Sequence, residues 1–379
     1  MPDNIIGSAT QAQGSVTSYS YAHGILPELA ELNKGNNPNL QVLPSGFHVV
    51  NLKMLLSVAD QHNFGVVAIN QRSPQIIRAT LEAAWKMKSP VILEVAESEV
   101  GYCNMTPSRL SRLAHEVIQE LIERYGYAVP VGLHHDHIQK DITGCVQQSI
   151  EAGFSSVLVD LSKLSLDENI AGCQGIARLI YPMGIALEVE EGVVHSVESS
   201  ASDHIYAEVE KYYTKVEDME KMIKETMATG ASCFIGNQHG VYKDENPRIG
   251  YGRLFEIAEV IRKYQSYPVM HGGSGLKPDQ FNRIIEAGAR KINYATSVSD
   301  IWFKHLPEEL LGRMNQKVVE TGKPLRKVLP YFEEEVQSLD HRVAILEMTE
   351  HIAMMMDKAF SSAGMVKHYQ ESMEFLGDV

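Results

Sequence analysis

The sequence is poor in cysteine, with only Cys103, Cys145, Cys173 and Cys233, and these show no close pairing pattern. That excludes a disulfide-stapled scaffold and makes a cytoplasmic, reducing location the expected one. No run of 18 apolar residues occurs, so no spanning helix and no membrane partner are expected. The start, MPDNIIGSATQAQGSV, lacks both a basic stretch and an apolar core, so no signal peptide is expected. Basic residues are outnumbered: 34 Lys and Arg against 48 Asp and Glu, a net charge of −14. This disfavours non-specific nucleic-acid or anionic-membrane binding but leaves room for a local basic pocket. No P-loop, dinucleotide fingerprint, strong repeat or low-complexity tract is present.

What remains is an ordinary globular composition, 44% hydrophobic and 22% charged, over 379 residues. A chain of this length buries a core without staples. Short apolar runs alternate with helical periodicity, beginning with 65–70, a helix over 74–87, and 90–95. Thr106-Pro107 opens the next helix, a cap residue followed by proline at the first helical position. Its apolar stripe is Leu110, Leu113, Val117 and Leu121, and it stops near Gly126. Further strand candidates lie at 129–134, 155–160, 184–189, 232–236, 267–271 and 290–294. Eight such strands suggest a (β/α)8 TIM barrel; a doubly wound sheet is the rival, which strand count cannot exclude. The organisation read here is an N-terminal extension over 1–60, a catalytic barrel over 61–305 and a helical C-terminal extension over 306–379. In that last part Val336, Leu339, Val343, Leu346, Ala353, Met356 and Phe360 recur at near-helical spacing, as expected of a helix packed on the barrel or a partner subunit. Met354, Met355 and Met356 read as core or interface filler.

Polar residues collect where barrel strands should end, above one mouth. They are His134-His135-Asp136-His137, Glu188-Val189-Glu190-Glu191-Gly192, Gly236-Asn237-Gln238-His239-Gly240, His271-Gly272-Gly273-Ser274-Gly275 and Asn293-Tyr294-Ala295-Thr296. His137, His239 and His271, from three strand ends, suit a borderline-soft ion such as Zn2+ and would leave positions open for substrate. Each alone reads more simply as mouth lining or a helix cap; the three together point to an ion. Asp136 is placed either to exchange a proton with a substrate hydroxyl or to orient a histidine ring. If the stretch is still strand, at most one of His134 and His135 faces inward. Gly272, Gly273 and Ser274 form a candidate phosphate nest, and Asn293 to Thr296 add donors at the next strand end, where barrels commonly bind phosphate. Pro278 begins the helix that follows.

These motifs, in this order, resemble the class II, metal-dependent ketose-bisphosphate aldolase family over about residues 60–305. The His-x-Asp-His, Glu-x-Glu-x-Gly, His-Gly, His-Gly-Gly-Ser-Gly and Asn-x-x-Thr segments are all matched. The resemblance implies a divalent ion, usually Zn2+, at His137, His239 and His271, with Glu190 as alternative ligand or support. It implies that Asp136 shuttles a proton to the aldehyde-derived hydroxyl. A monovalent cation and the phosphate of dihydroxyacetone phosphate are implied near Gly240, Gly272, Gly273, Ser274, Asn293 and Thr296. Asn70 is implied at the distal hydroxyls. The family reaction passes through a metal-stabilised enediolate in carbohydrate metabolism such as glycolysis, and subunits pair as homodimers or homotetramers. No Schiff-base lysine is required, and none is evident facing inward at a strand end.

Departures from the family pattern bear on substrate. The loop after the fifth strand lacks the usual paired glycines, and Glu198 aligns with the C3 base of one branch; His195 nearby has no assignable role. Glu94-Val95-Ala96 replaces the usual Gln-x-Ser, altering charge and hydrogen bonding expected near substrate. Asp160-Leu161-Ser162 and Ile138-Gln139-Lys140 are also unusual. A nonstandard acceptor aldehyde is therefore weighed beside strict fructose 1,6-bisphosphate cleavage, with Lys140, Lys163 or Lys243 as contacts for a second anionic group. A metal-dependent barrel hydrolase or isomerase and a noncatalytic sugar-phosphate-binding homologue are the alternatives.

Overall fold

A computed structural model describes residues 49–194, 208–240, 242, 244 and 246–369. Eight strands run β1 (Val66–Asn70), β2 (Val91–Ala96), β3 (Val131–Ile138), β4 (Ser156–Val159), β5 (Ala186–Glu191), β6 (Gly230–Cys233), β7 (Tyr267–Met270) and β8 (Lys291–Asn293). All are parallel and each pairs with its neighbour in chain order; β8 closes on β1 through Val66 opposite Lys291. That closure excludes the doubly wound sheet. The strands are buried on both faces, the reason they read as apolar runs rather than alternating ones. Two expected boundaries move: β3 continues through the histidines to Ile138, and β6 starts and ends earlier than 232–236.

The helices are α1 (Leu52–Gln61), α2 (Pro74–Met87), α3 (Glu97–Cys103), α4 (Pro107–Tyr125), α5 (Ile142–Glu151), α6 (Leu166–Ile180), α7 (Val216–Thr226), α8 (Tyr251–Ile261), α9 (Pro278–Glu286), α10 (Thr296–Lys304), α11 (Glu308–Thr321), α12 (Glu333–Ser338) and α13 (Arg342–Lys358). Local chemistry sets their ends. The Ser73 hydroxyl accepts the Ile76 N–H to start α2, and Thr106 does the same for Arg109 in α4. Gly126, at φ 75°, ends α4 in a left-handed cap. Among the described residues no helix is long and apolar enough to cross a membrane.

One end of the barrel is sealed by α1. Leu52, Leu55, Leu56 and Val58 pack there with Val66, Ala68, Ile92, Ala186 and Tyr267. A Cβ on Gly132 would lie 2.8 Å from Leu55 Cδ1, so glycine there lets the Leu55 side chain of α1 pack directly on β3. The C-terminal region does not form one continuous helix. Its apolar stripe is broken between α12 and α13, and Val343 and Leu346 point to solvent at 66% and 57% exposure. The face that packs on α2 instead carries Ala344, Met348, Ile352, Met355 and Met356. A 3-10 segment, Leu325–Phe332, lies against α3 beside the barrel mouth.

The barrel interior also holds charge. Lys291, at the start of β8, is fully buried, with Nζ 3.2 Å from Glu94 Oε2 and 3.0 Å from Glu188 Oε2. This lysine faces inward from the start of a strand, not from a strand end at the mouth. Burial opposes its charge, but Glu188, Glu94 and Asp136 outweigh that and hold it protonated, so it is a counter-ion and not an amine nucleophile. Removing it strands two carboxylates in a dry core. Lys291→Met is expected to lower unfolding stability by about 3–5 kcal/mol. Adding Glu94→Gln should recover part of the loss in denaturant titrations; no recovery would contradict the pairing.

Candidate active site

The mouth is organised by β3. His134 faces inward, with Nε2 3.6 Å from Glu188 Oε2 and Nδ1 2.8 Å from Ser156 Oγ. His135 faces outward into the helical layer, Nδ1 2.7 Å from Ser149 Oγ and its ring edge-on to Phe154. Asp136 returns inward, as the two-residue period demands. Regular pleating would then turn His137 outward. The register with β4 shifts between His135 and Ile138, and His137 takes a left-handed backbone, φ 45°. This bulge swings its imidazole over the mouth beside Asp136.

There it meets two other histidines. His271 Nδ1 and His137 Nε2 are 2.9 Å apart, and the His239 ring centroid is 5.2 Å from that of His137 and 6.0 Å from that of His271. One nitrogen from each ring lies within 4.8 Å of the others. The opposite nitrogens of two rings are held by carboxylates: His137 Nδ1 by Asp160 Oδ2 at 2.9 Å, and His271 Nε2 by Glu188 Oε1 at 2.9 Å. Carboxylates behind the rings and convergent nitrogens in front form the arrangement by which proteins orient histidines on a divalent ion. The three nitrogens therefore fit such an ion, and a borderline-soft one best. Glu190 sits on the other side of His137, 4.0 Å from Nδ1, with Ser232 Oγ 3.0 Å from its Oε2. Ligand atoms of His137, Asp160 and Glu190 also lie within 4.8 Å of one another, on the Nδ1 side of the His137 ring.

Charge is unevenly distributed. Burial and the neighbouring His137 and His271 depress His239 to about 3, and burial keeps His271 neutral. Burial also opposes charge on His137, but Asp136, Asp160 and Glu190 overcome it and lift its pKa to about 10. Asp136 is 3% exposed; burial works against its ionisation, yet His137, His271 and Lys291 hold it below its ordinary value. Among the described residues its Oδ1 has no hydrogen-bond partner. A buried carboxylate with a free oxygen beside the ion site can exchange a proton with a ligand of that ion.

A cavity of about 1080 Å3 opens above these groups. Its lining includes Asp136, His137, His239, Gly240, Gly272, Gly273, Ser274, Asn293, Thr296 and Asn70, so the expected phosphate and substrate residues share one space. Ser274 Oγ accepts the N–H groups of Ala295 and Thr296 at 3.3 and 3.0 Å, leaving its own proton to donate. A Cβ on Gly272, at φ 71°, would lie 2.1 Å from Gln238 O, so only glycine allows that crossing. The Tyr242 hydroxyl donates to Gly272 O at 2.8 Å and accepts Gln238 N–H at 3.1 Å, tying the two loops together. Asn70 Nδ2 donates to Glu99 Oε2 at 2.9 Å, and Arg72 pairs with Glu99 Oε1 at 2.6 Å.

Some expectations change. Glu94 is buried beneath the mouth against Lys291, so its replacement of an amide does not reach the cavity, whereas Ala96 does line it. Lys140 and Lys163 line the cavity too. Arg326 and Lys327, from the 3-10 segment of the C-terminal region, were not anticipated, because nothing local in sequence ties that segment to the mouth. Asp160 was noted only as a departure, and its hold on His137 appears only in space. Glu198, His195 and Lys243 lie outside the described residues.

Fold and site together define a barrel enzyme with a metal-binding centre beside a buried carboxylate and a glycine-lined pocket. Residues 50–366 match the family described as fructose-bisphosphate aldolase class-II, and the chain belongs to that family. The 6-phospho-5-dehydro-2-deoxy-D-gluconate aldolase of Bacillus licheniformis is 33% identical over 254 residues, covering 67% of this chain and 81% of the relative. The fructose-bisphosphate aldolase of Ureaplasma parvum is 30% identical over 283 residues, covering 75% and 91%. Among solved structures, the YdjI aldolase from Escherichia coli K12 shares the fold with a TM-score of 0.59 at 21% identity, covering 83% of this chain and 98% of that one.

A protonated His137 stabilises the metal-free fold fully below its ordinary pKa of 6.5, and that contribution is lost as pH rises through about 10. Metal entry must expel the same proton. Zn2+ binding near neutral pH is expected to release about one proton and to tighten as pH rises. Calorimetry in buffers of different ionisation heat measures this; an affinity flat between pH 6 and 9 would contradict it.

Proposed function

We propose that this class II aldolase reversibly cleaves a ketose phosphate or bisphosphate into dihydroxyacetone phosphate and an aldehyde. The observation that carries the reading is the convergence of His137, His239 and His271 beside Asp136, in the same cavity as the Gly272–Ser274 turn and Asn293. His137, His239 and His271 would hold the divalent ion, Zn2+ by the softness of three imidazoles. When bound, the ion supplies Lewis-acid polarisation of the substrate oxygens next to the bond that breaks.

The chain's own residues do the rest. Asp136 takes the proton from the hydroxyl that becomes the aldehyde and returns it in the condensation direction. The Ser274 hydroxyl, the backbone around Gly272 and Gly273, Gly240, Asn293 and the start of α10 at Thr296 receive the donor phosphate, with a monovalent cation beside it. Asn70, oriented by Glu99, meets the distal hydroxyls. Glu198 is our candidate for the C3 base. Arg326 and Lys327, with Lys140 and Lys163, offer positive charge to a second anionic group at the far end of the cavity. That supports a bisphosphate or another doubly charged ketose.

The relatives act on different substrates by name, and Ala96, a methyl lining the cavity where a hydroxyl is usual, supports an acceptor distinct from that of the strict fructose 1,6-bisphosphate enzyme. The free thiols of all four cysteines support a cytoplasmic setting, and we propose a homodimer or homotetramer as in the family.

The test is cleavage of a panel of ketose phosphates by metal-loaded protein, with the aldehydes identified by mass. Asp136→Asn should lower cleavage about 10²–10⁴-fold while metal content stays near that of the parent. Undiminished activity in that variant would remove Asp136 from the mechanism, and no cleavage by the parent with no exchange of the donor's C3 proton would overturn the aldolase reading. In the same panel, Arg326→Ala should raise KM for bisphosphates about 10- to 100-fold, and much less for monophosphates.

A further inference from the structure

The loop that leaves β3 turns three consecutive N–H groups toward one carboxylate. Gln139 N–H and Lys140 N–H donate to Glu97 Oε2 at 2.8 and 3.0 Å, and Asp141 N–H donates to Oε1 at 2.9 Å. Glu97 stands at the start of α3, 42–44 residues earlier in the chain. Burial works against its charge, but the three amides hold its carboxyl below the ordinary value. The carboxylate also lies just ahead of α5, where the helix dipole favours negative charge.

The loop it grips is the one that follows the bulge. A non-glycine residue at φ 45° is strained and persists only where its surroundings over-determine it. On the His137 side that hold is Asp160, which accepts His137 Nδ1–H and is also bonded by the Gln139 side-chain amide. Gln139 is thus tied at both ends, its backbone to Glu97 and its side chain to the carboxylate oxygen that holds the His137 ring. A shift of residues 139–141 would pull on Asp160 and release the ring from the point where it meets His271.

We propose that Glu97 is a positioning residue of the metal centre: its carboxylate clamps the exit loop of β3 and, through Gln139 and Asp160, fixes the His137 imidazole. This rests on the reading of His137 as a ligand. A residue serving only as a brace for α5 would show the same contacts but would leave metal affinity untouched.

The experiment measures Zn2+ affinity by competition with a chromophoric chelator, on full-length parent, Glu97→Ala, Glu97→Gln and Tyr127→Phe, each checked for folding by circular dichroism. The Tyr127 hydroxyl donates to Trp85 O where α2 ends, at the barrel end opposite the mouth, so its variant should lose stability and keep parental affinity. Glu97→Ala should bind Zn2+ about 10- to 100-fold more weakly. Glu97→Gln should fall between, because one of its two terminal groups is a donor facing donors. Formate in the tens of millimolar should restore affinity to Glu97→Ala by occupying the vacated amides. Affinity within threefold of the parent in folded Glu97→Ala overturns the clamp, as does a loss that formate leaves unchanged while metal-free stability falls. If Glu97→Ala does not fold, Glu97→Gln decides: parental affinity overturns the proposal and weaker affinity supports it. A parent chain that binds no Zn2+ would instead overturn the metal-centre reading itself.

Discussion

A barrel strand shows alternate residues to the barrel interior and to the helices, and this chain needs two adjacent ones, Asp136 and His137, at the same mouth. The bulge at the end of β3 resolves the conflict by one left-handed residue. Because of it, the carboxylate we propose as the proton carrier and the imidazole that meets His271 are neighbours in sequence and in space. Asp160 from beyond β4 and Glu97 from α3 close around that loop from different sides. The remaining geometry of the centre follows from where this ring ends up.

Beneath the mouth the barrel carries a charged core in place of a purely apolar one. A single ammonium, Lys291, lies between Glu94 and Glu188, and Glu188 in turn holds His271. The chain of contacts runs from β8 through β5 to β7, so the orientation of His271 is tied to charge balance in the core. The same field helps keep Asp136 ionised although it is almost fully buried. Buried charges are destabilising when single and tolerable when paired, which accounts for Glu94 and Lys291 being found together.

Much of the site was legible because its groups come in short segments with distinctive chemistry. The glycine-rich turn at 271–275 and the Asn293–Thr296 stretch carry their geometry locally, since glycine and a helix start require little from elsewhere. The apolar strands were legible for the same reason, being buried on both faces. Three things were not. The inward turn of His137 depends on a register shift that periodicity alone argues against. Lys291 reads as the polar edge of a short strand until the barrel closes around it. Arg326 and Lys327 lie in the C-terminal region, and only packing of their segment against α3 brings them to the cavity. The outward-facing Val343 and Leu346 show the opposite error, apolar spacing taken for a buried face.

Sequence by itself determined the alternation of strand and helix, the residue types at each strand end and the family to which they belong, because these depend on local propensity and on motifs a few residues long. Tertiary structure alone decided which nitrogens of His137 and His271 turn toward each other, which carboxylates stand behind those two rings, and which charges share the core. Those outcomes depend on distances between residues far apart in the chain, and such distances exist only once β8 has closed on β1.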